Sequence, residues 1–341
     1  MKKSDTSIRK PVKVFGGWPL LIACLVIVVV LVIVGVEGSN NIRRIFTKTF
    51  LYCAMAVMWN LLSGYTGMTS LGQQAFIGVA GYSMAVMTTT FLTSYWTGLA
   101  VGGIIGAVLA LVLSVILFRM RGMYFAVATW VIAEALKTFF LSWKFVNQGG
   151  GMAVTGRPDR TTIYLVALAI CVAAIVVVYL LLNSRIGLGL TAMRDDTDAA
   201  SSVGVNIFKS KLLCFVIAGF FTALAGGWYF LNNISIYPSS GYGNSWTVAV
   251  VFIVIIGGVG TMAGPIVGSV IYIALAEILA DYPGWSNIIL GLIAILVILF
   301  LPDGILGTLQ KKFNFEILSQ KRLSDERKPK ARKLKKQATK E

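Results

Sequence analysis

The sequence predicts an all-α integral membrane protein, a polytopic bundle of about ten transmembrane helices with its N- and C-termini cytoplasmic. Composition is the first reason: of 341 residues, 57% are hydrophobic and only 13% charged, which excludes a chain built of soluble domains. The second reason is that apolar runs long enough to cross roughly 30 Å of hydrocarbon recur along almost the whole chain, and helices satisfy their own backbone hydrogen bonds in that medium. A transmembrane β-barrel would show alternating segments of about ten residues, and none are visible. The third reason is the distribution of charge, which assigns the two sides of the membrane.

The runs fall at residues 20–36, 49–64, 75–95, 97–118, 123–141, 163–182, 211–231, 247–261, 264–281 and 286–301. A basic segment, 1–19, precedes the first one with Lys2, Lys3, Arg9, Lys10 and Lys13. A secretory signal begins in the same way, but Gly35-Val-Glu-Gly-Ser offers no small-x-small cleavage site, so this run is expected to stay as a membrane helix. With the N-terminus in the cytoplasm, an even number of crossings returns the tail, 302–341, to the same side. Cytoplasmic segments then hold 23 of the Lys and Arg residues, twelve of them between Lys311 and Lys340, against six outside: Arg43, Arg44, Lys48, Lys144, Arg157 and Arg160. That bias follows the positive-inside rule, with the Arg43, Arg44, Lys48 cluster running against it. The net charge of +16 therefore points to the lipids of the anionic cytoplasmic leaflet and not to nucleic acid, because the basic residues sit at membrane edges without interleaved aromatics. The tail beyond about Ser319 is charged and poor in aromatics, which predicts disorder.

Between the second and third runs, Asn60-Leu-Leu-Ser-Gly-Tyr-Thr-Gly-Met-Thr-Ser-Leu-Gly-Gln-Gln-Ala-Phe76 is too apolar for an ordinary loop. Gly64, Gly67 and Gly72 argue for a broken helix or re-entrant backbone, which is tolerated at membrane depth only inside protein or beside a water-filled path; the plain alternative is a cytoplasmic turn. The fourth run carries Gly98, Gly102 and Gly106 at a spacing that makes one flat helix face for close packing in lipid. In the fifth run Glu134 stands near mid-membrane with Lys137 one turn on, either a functional acid or an intrahelical ion pair facing the bundle. Glu277 lies nearer an edge and reads as structural. Gly257-Gly-Val-Gly-Thr-Met-Ala-Gly-Pro-Ile-Val-Gly268 separates two apolar half-runs with a tight turn, a candidate part of a gate.

The long polar interruption of the second half is 184–211. Asp196 or Thr197 can cap a short helix over roughly Thr197 to Val203, the acids cluster where the helix dipole favours them, and Gly204 suits the position just past its end. Ala199, Ala200, Ser201 and Ser202 give this helix a surface of small side chains that another protein's backbone can approach closely. Read from composition alone, the segment is a solvated loop.

Together these stretches resemble the LivM-type permease subunits of branched-chain amino acid ABC importers. The run from Asn60 matches the family's N-L-x-x-G-x-x-G-x-x-S-L-G-H-A-A-F signature, with Gln73 where the family commonly has His. Arg121-Gly-Met-Tyr-Phe, Gly149-Gly-Gly-Met, the 187–227 segment, Gly257 to Gly268 and Leu301-Pro-Asp-Gly-Ile-Leu-Gly307 follow in the family's order. The resemblance implies a coupling loop whose helix docks in a cleft of the ATPase, through Arg194, Asp195, Asp196, Asp198, Ala199, Ala200, Ser202, Gly204 and Lys211. It also implies a translocation path or gate drawn from Gly67, Ser70, Gly72, Gln73, Gln74, Thr129, Glu134, Gly258, Gly260, Gly264 and Pro265. Implied partners are a second permease subunit of the LivH type, two ABC ATPase subunits and an extracytoplasmic substrate-binding protein.

No enzyme chemistry is expected. The chain has no histidine and no G-x-x-x-x-G-K-[ST] loop to hold nucleotide phosphates, and Cys24, Cys53, Cys171 and Cys214 fall inside apolar runs in no metal-ligand spacing, so neither cofactor nor metal is expected. Two competing readings stay open: a permease of the same family for urea or another small solute, and a self-sufficient secondary transporter or channel using Glu134 and Lys137.

Overall fold

The computed structural model describes residues 13–15, 18–301, 303–313 and 315–317. The rest of the basic N-terminal segment and the tail beyond 317, where disorder is expected, lie outside the described residues. A strand β1 (Lys13–Phe15) leads to α1 (Trp18–Glu37). α2 (Asn40–Asn60), capped by the Ser39 hydroxyl, runs into a single π-helical turn at Leu61–Tyr65. After an irregular stretch at 67–72 come α3 (Gln73–Ala85), itself closed by a π-helical turn at Val86–Thr90, and the long helices α4 (Tyr95–Leu117) and α5 (Met123–Ser142). A two-residue strand β2 (Met152–Ala153) precedes α6 (Arg160–Leu182), whose first N–H groups are capped by Asp159. The polar interruption folds as α7 (Arg185–Asp195) and α8 (Thr197–Ser202). α9 (Ile207–Asn233), β3 (Ser235–Ile236), α10 (Pro238–Gly241), α11 (Ser245–Gly257), α12 (Gly264–Ile278), α13 (Pro283–Phe300) and α14 (Gly304–Phe313) complete the bundle, and β4 (Phe315–Ile317) pairs in parallel with β1.

Among the described residues the regular structure is helical apart from two small two-stranded ribbons, and six helical stretches are long and apolar enough to cross a membrane. α2 is the hub. Its residues from Phe50 to Asn60 are buried with the single exception of Tyr52, and it packs against α6, α9, α11 and α12. The apolar side chains of α1, α4, α5 and α13 are turned outward instead: Leu25, Val112, Val131 and Leu299 are all exposed. An exposed apolar belt of this extent is stable only against lipid or another subunit. Cys24 belongs to it, whereas Cys53, Cys171 and Cys214 are buried as expected.

The glycine face of α4 works as its spacing predicts. A Cβ on Gly106 would stand 2.3 Å from the Ala223 Cβ and 2.8 Å from the Gly219 carbonyl, so α4 and α9 meet almost backbone to backbone. The glycines late in the chain serve differently: Gly260 lies in the turn between α11 and α12, and Gly264 and Gly268 press α12 on α11.

α2 also begins well before the expected run at 49. Its polar first turns are held by two ion pairs from Glu277 on α12, to Arg44 at 2.7 Å and to Lys48 at 2.8 Å, while the Arg43 guanidinium donates to the Val36 carbonyl at the end of α1. Two of the three cations that ran against the charge count are therefore paired with one shared carboxylate, in the structural role expected for Glu277.

Candidate functional site

The polar segment folds locally as its residues dictate. The Asp196 carboxylate accepts from the N–H groups of Asp198 and Ala199 at 2.9 and 3.0 Å and so starts α8, and Gly204, at φ +88°, turns the chain out of it. The small-residue surface is narrower than the sequence implied. Ala199, Ser201 and Ser202 are exposed with Asp198, but Ala200 is 2% exposed and faces the chain's own interior. Ala200 is thereby corrected from a surface residue to a packing residue, because a helix this short must bury one face to hold its place. The Asp195 side chain lies outside the described residues. α7, unanticipated in the sequence, carries Arg194 on its last turn.

Arg194 is the hinge of the site. Its Nη1 donates to the Gly64 carbonyl at 2.8 Å, joining the polar segment to the π-helical turn that ends α2. Gly64 sits against Gly260: a Cβ added at Gly64 would come within 2.7 Å of the Gly260 nitrogen, and one added at Gly260, at φ +75°, within 2.7 Å of Arg194 Nη1. Asn60 completes the junction. Its Nδ2 donates to the Thr261 carbonyl at 2.9 Å and its Oδ1 accepts the Gly260 N–H at 2.8 Å, so one buried amide holds backbone groups of two consecutive residues in the α11–α12 turn. Three stretches far apart in sequence, 60–64, 194 and 258–261, thus form one contact.

Beyond the junction the chain is irregular from Gly67 to Gly72; Met68, Ser70 and Gly72 are buried, and the backbone groups of Ser70 and Leu71 are paired by side chains from three directions. The Trp59 indole donates to the Ser70 carbonyl at 2.7 Å, the Thr129 hydroxyl of α5 accepts the Leu71 N–H at 3.0 Å, and the Thr247 hydroxyl of α11 donates to the Leu71 carbonyl at 3.3 Å. This is the broken-helix reading of the Gly-rich stretch, and the dedicated partners are what make irregular backbone tolerable among apolar helices. Gln74, fully buried, extends the network: its Oε1 accepts from Thr247 and its Nε2 donates to Asn244 Oδ1 at 3.1 Å, an atom that also accepts the Trp130 indole N–H at 3.0 Å.

The remaining candidates are more dispersed. Gly67 lies against the Arg194 backbone, and Gly72 against the Thr129 carbonyl. Gln73 is wholly buried between α3 and α9, its Oε1 accepting from Thr222 at 3.2 Å and its Nε2 without a partner among the described residues. Glu134 and Lys137 form an ion pair at 3.2 Å on a half-exposed face of α5. Gly258, Gly260, Gly264 and Pro265 form or flank the α11–α12 turn. Lys211 joins Arg121 and Arg194 around a recess of about 140 Å³ beside Gly67. Sequence reasoning had left Asn60, Trp59, Trp130, Asn244 and Thr247 without a role. Asn60 opens the Gly-rich motif and Trp59 bonds within it, whereas Trp130, Asn244 and Thr247 carry no local signal, since their partners are distant in the chain.

Residues 41–301 match the family described as the branched-chain amino acid transport system / permease component. The chain belongs to this family. It is 26% identical to the high-affinity branched-chain amino acid transport system permease protein LivM of Salmonella typhimurium and 24% identical to LivM of Escherichia coli, in each case over 84% of this chain and 74% of the relative. A shorter similarity, 27% over 35% of both chains, is to the fructose import permease protein FrcC of Rhizobium meliloti. No solved structure matches the chain. The match of this permease family spans the junction entire, from α2 through the turn at Gly260.

Proposed function

We propose that the chain is a membrane-spanning permease subunit of an ABC importer that brings branched-chain, aliphatic amino acids across the cell membrane. It works with a second permease subunit of the LivH type, two ATPase subunits and an extracytoplasmic substrate-binding protein, and catalyses no reaction itself. The observation that carries this reading is the family match over residues 41–301, and the 2.8 Å bond from Arg194 to the Gly64 carbonyl supports the coupling by joining the exposed polar segment to the broken helix.

In this reading the permease domain spans 20–301 and crosses the membrane ten times, the six long apolar stretches being joined by α1, α3, α12 and α13, with both termini and the 184–211 segment cytoplasmic. The support is the excess of Lys and Arg on that side. The exposed face of α8, with Asp198, Ala199 and Ser202, seats in the ATPase. Closure of the ATPase pair displaces α7 and α8, and Arg194 transmits the displacement to Gly64, Gly260 and the stretch from Gly67 to Gln74. Close-packed contacts have discrete arrangements, so the bundle switches between outward-open and inward-open states and does not deform continuously. A route for zwitterionic aliphatic solutes needs few fixed charges, and the mid-membrane pair Glu134 and Lys137 is mutually neutral.

The decisive experiment is reconstitution. The assembled complex with its binding protein is expected to take up leucine, isoleucine or valine into liposomes on addition of ATP, and the lone chain is expected to take up nothing under ATP, a proton gradient or a sodium gradient. Gradient-driven uptake by the lone chain would replace this reading with a secondary transporter. The similarity to a fructose permease supports a second reading within the class, a different small solute such as urea, and the solute retained by the binding protein separates the two.

A further inference from the structure

At the end of the bundle remote from the coupling segment, five cations converge on one recess. α6 fixes the separation: Arg160 opens this helix and Leu182 closes it, about 23 residues and so roughly 34 Å away, next to α7. The recess measures about 360 Å³ and is lined by Arg43, Arg44, Lys48, Arg157 and Arg160, with the Asn232 amide among its polar groups.

The charges do not cancel. Glu277 pairs with Arg44 and Lys48, but no carboxylate of the described residues lies within ion-pair distance of Arg43, Arg157 or Arg160. Asp159 is close in sequence but forms no ion pair with Arg157 or Arg160 among the described residues: Thr162 donates to it through its hydroxyl at 2.6 Å and its N–H at 3.0 Å, bonds that orient this carboxylate as the cap of α6 and hold it below its ordinary pKa. Glu37, at the end of α1, makes no ion pair among the described residues. Arg157 donates to Asn232 Oδ1 at 3.0 Å, a neutral partner, and the buried Nε of Arg43 has no partner among the described residues. A recess that holds five cations against one carboxylate is electrostatically costly unless an anion enters it, and Arg forks suit the oxygens of a phosphate group in particular.

We propose that this recess is a binding site for a phosphate group, with the geometry favouring the headgroup of an anionic phospholipid. Exposed apolar surface next to it supplies a second contact for such a ligand: the Arg43 guanidinium bonds the Val36 carbonyl at the end of α1, and the side chains of Val36 and of Ile42, the neighbour of Arg43, are exposed. A phosphate held by Arg157, Arg160 and Arg43 would place acyl chains along α1. Inorganic phosphate shares the headgroup chemistry but has no use for that apolar surface. The inference does not depend on which solute the permease carries.

The test uses the full chain assembled with its partner subunits in detergent. Retained lipid is measured by native mass spectrometry after titration with phosphatidylglycerol or, as the zwitterionic control, phosphatidylcholine; thermal stabilisation by inorganic phosphate is measured in parallel. Arg157 and Arg160 are exposed, so Arg157→Gln/Arg160→Gln is expected to fold, and Arg157→Lys/Arg160→Lys controls for charge. The expected result is selective retention of phosphatidylglycerol, weakened about fivefold for each charge removed and restored in large part by the lysines. Stabilisation by inorganic phosphate that is lost in the glutamine variant, without selective lipid retention, keeps the site and assigns it to the free anion. Equal retention of the two lipids together with no phosphate effect, or binding unchanged in the glutamine variant, overturns the proposal, including the case in which that variant loses only the substrate-binding protein.

Discussion

Replacing Arg194 with methionine tests the coupling path directly. The change deletes one charge-assisted hydrogen bond, 2.8 Å from Nη1 to the Gly64 carbonyl, and the guanidinium that covers Gly260. Bonds from charged groups contribute about 1.5–3 kcal/mol, and because the Arg194 side chain is largely exposed the lower part of that range applies, about 1–2 kcal/mol after solvent screening. At about 1.4 kcal/mol per factor of ten, the loss of linkage corresponds to roughly 5–30-fold in the equilibrium it biases. The Asp196 cap and the exposed face of α8 are untouched, and methionine has a helix propensity close to that of arginine, so docking should survive. In proteoliposomes the variant complex is expected to hydrolyse ATP at near the parental rate while moving several-fold less solute per ATP. Gly260→Ala should act alike, since its methyl group would displace the same guanidinium. Unchanged solute moved per ATP in an intact Arg194→Met complex would refute the reasoning, and loss of the ATPases would reassign Arg194 to docking.

Three further outcomes follow from the same contacts. Asn60→Leu keeps roughly the side-chain volume but leaves the Gly260 N–H and the Thr261 carbonyl unpaired; at about 1–3 kcal/mol for each orphaned group, a clear drop in melting temperature of the solubilised complex is expected, and a drop no larger than in an exposed control would contradict the junction. Ala199→Arg and Asp198→Lys alter the exposed face of α8 and are expected to lower ATPase co-purification, the latter most strongly at low salt, while Ala200→Arg should instead destabilise the segment itself, seen as protease sensitivity of the permease alone. Glu134→Gln should leave ATP-driven uptake insensitive to a collapsed proton gradient, as in the parent, because the Glu134 carboxylate serves to neutralise Lys137; abolished uptake in a normally assembled complex would give Glu134 a transport role.

The sequence by itself determined the membrane class, the helical content, the interruption of the chain at Gly64 to Gly72, the short capped helix at Thr197 and the glycine packing face of α4. Each of these is written in short-range chemistry: length of apolar run, a cap residue before a helix, small residues at one-turn spacing. It also carried enough motif to indicate the family. Only the tertiary structure decided that Ala200 faces inward, that Glu277 pairs with both Arg44 and Lys48, and that α7 presents Arg194 to α2. The physical reason is that these bonds join groups separated by 130 to 233 positions, as between Arg194 and Gly64 or Glu277 and Arg44, and the Arg194 bond ends on a backbone carbonyl, which every residue possesses and no sequence pattern marks. Asn60 shows the division at one residue. Its place before a Gly-rich break was legible, but that its amide would pair with the peptide units of Gly260 and Thr261 depended on the packing of α2 against the α11–α12 turn.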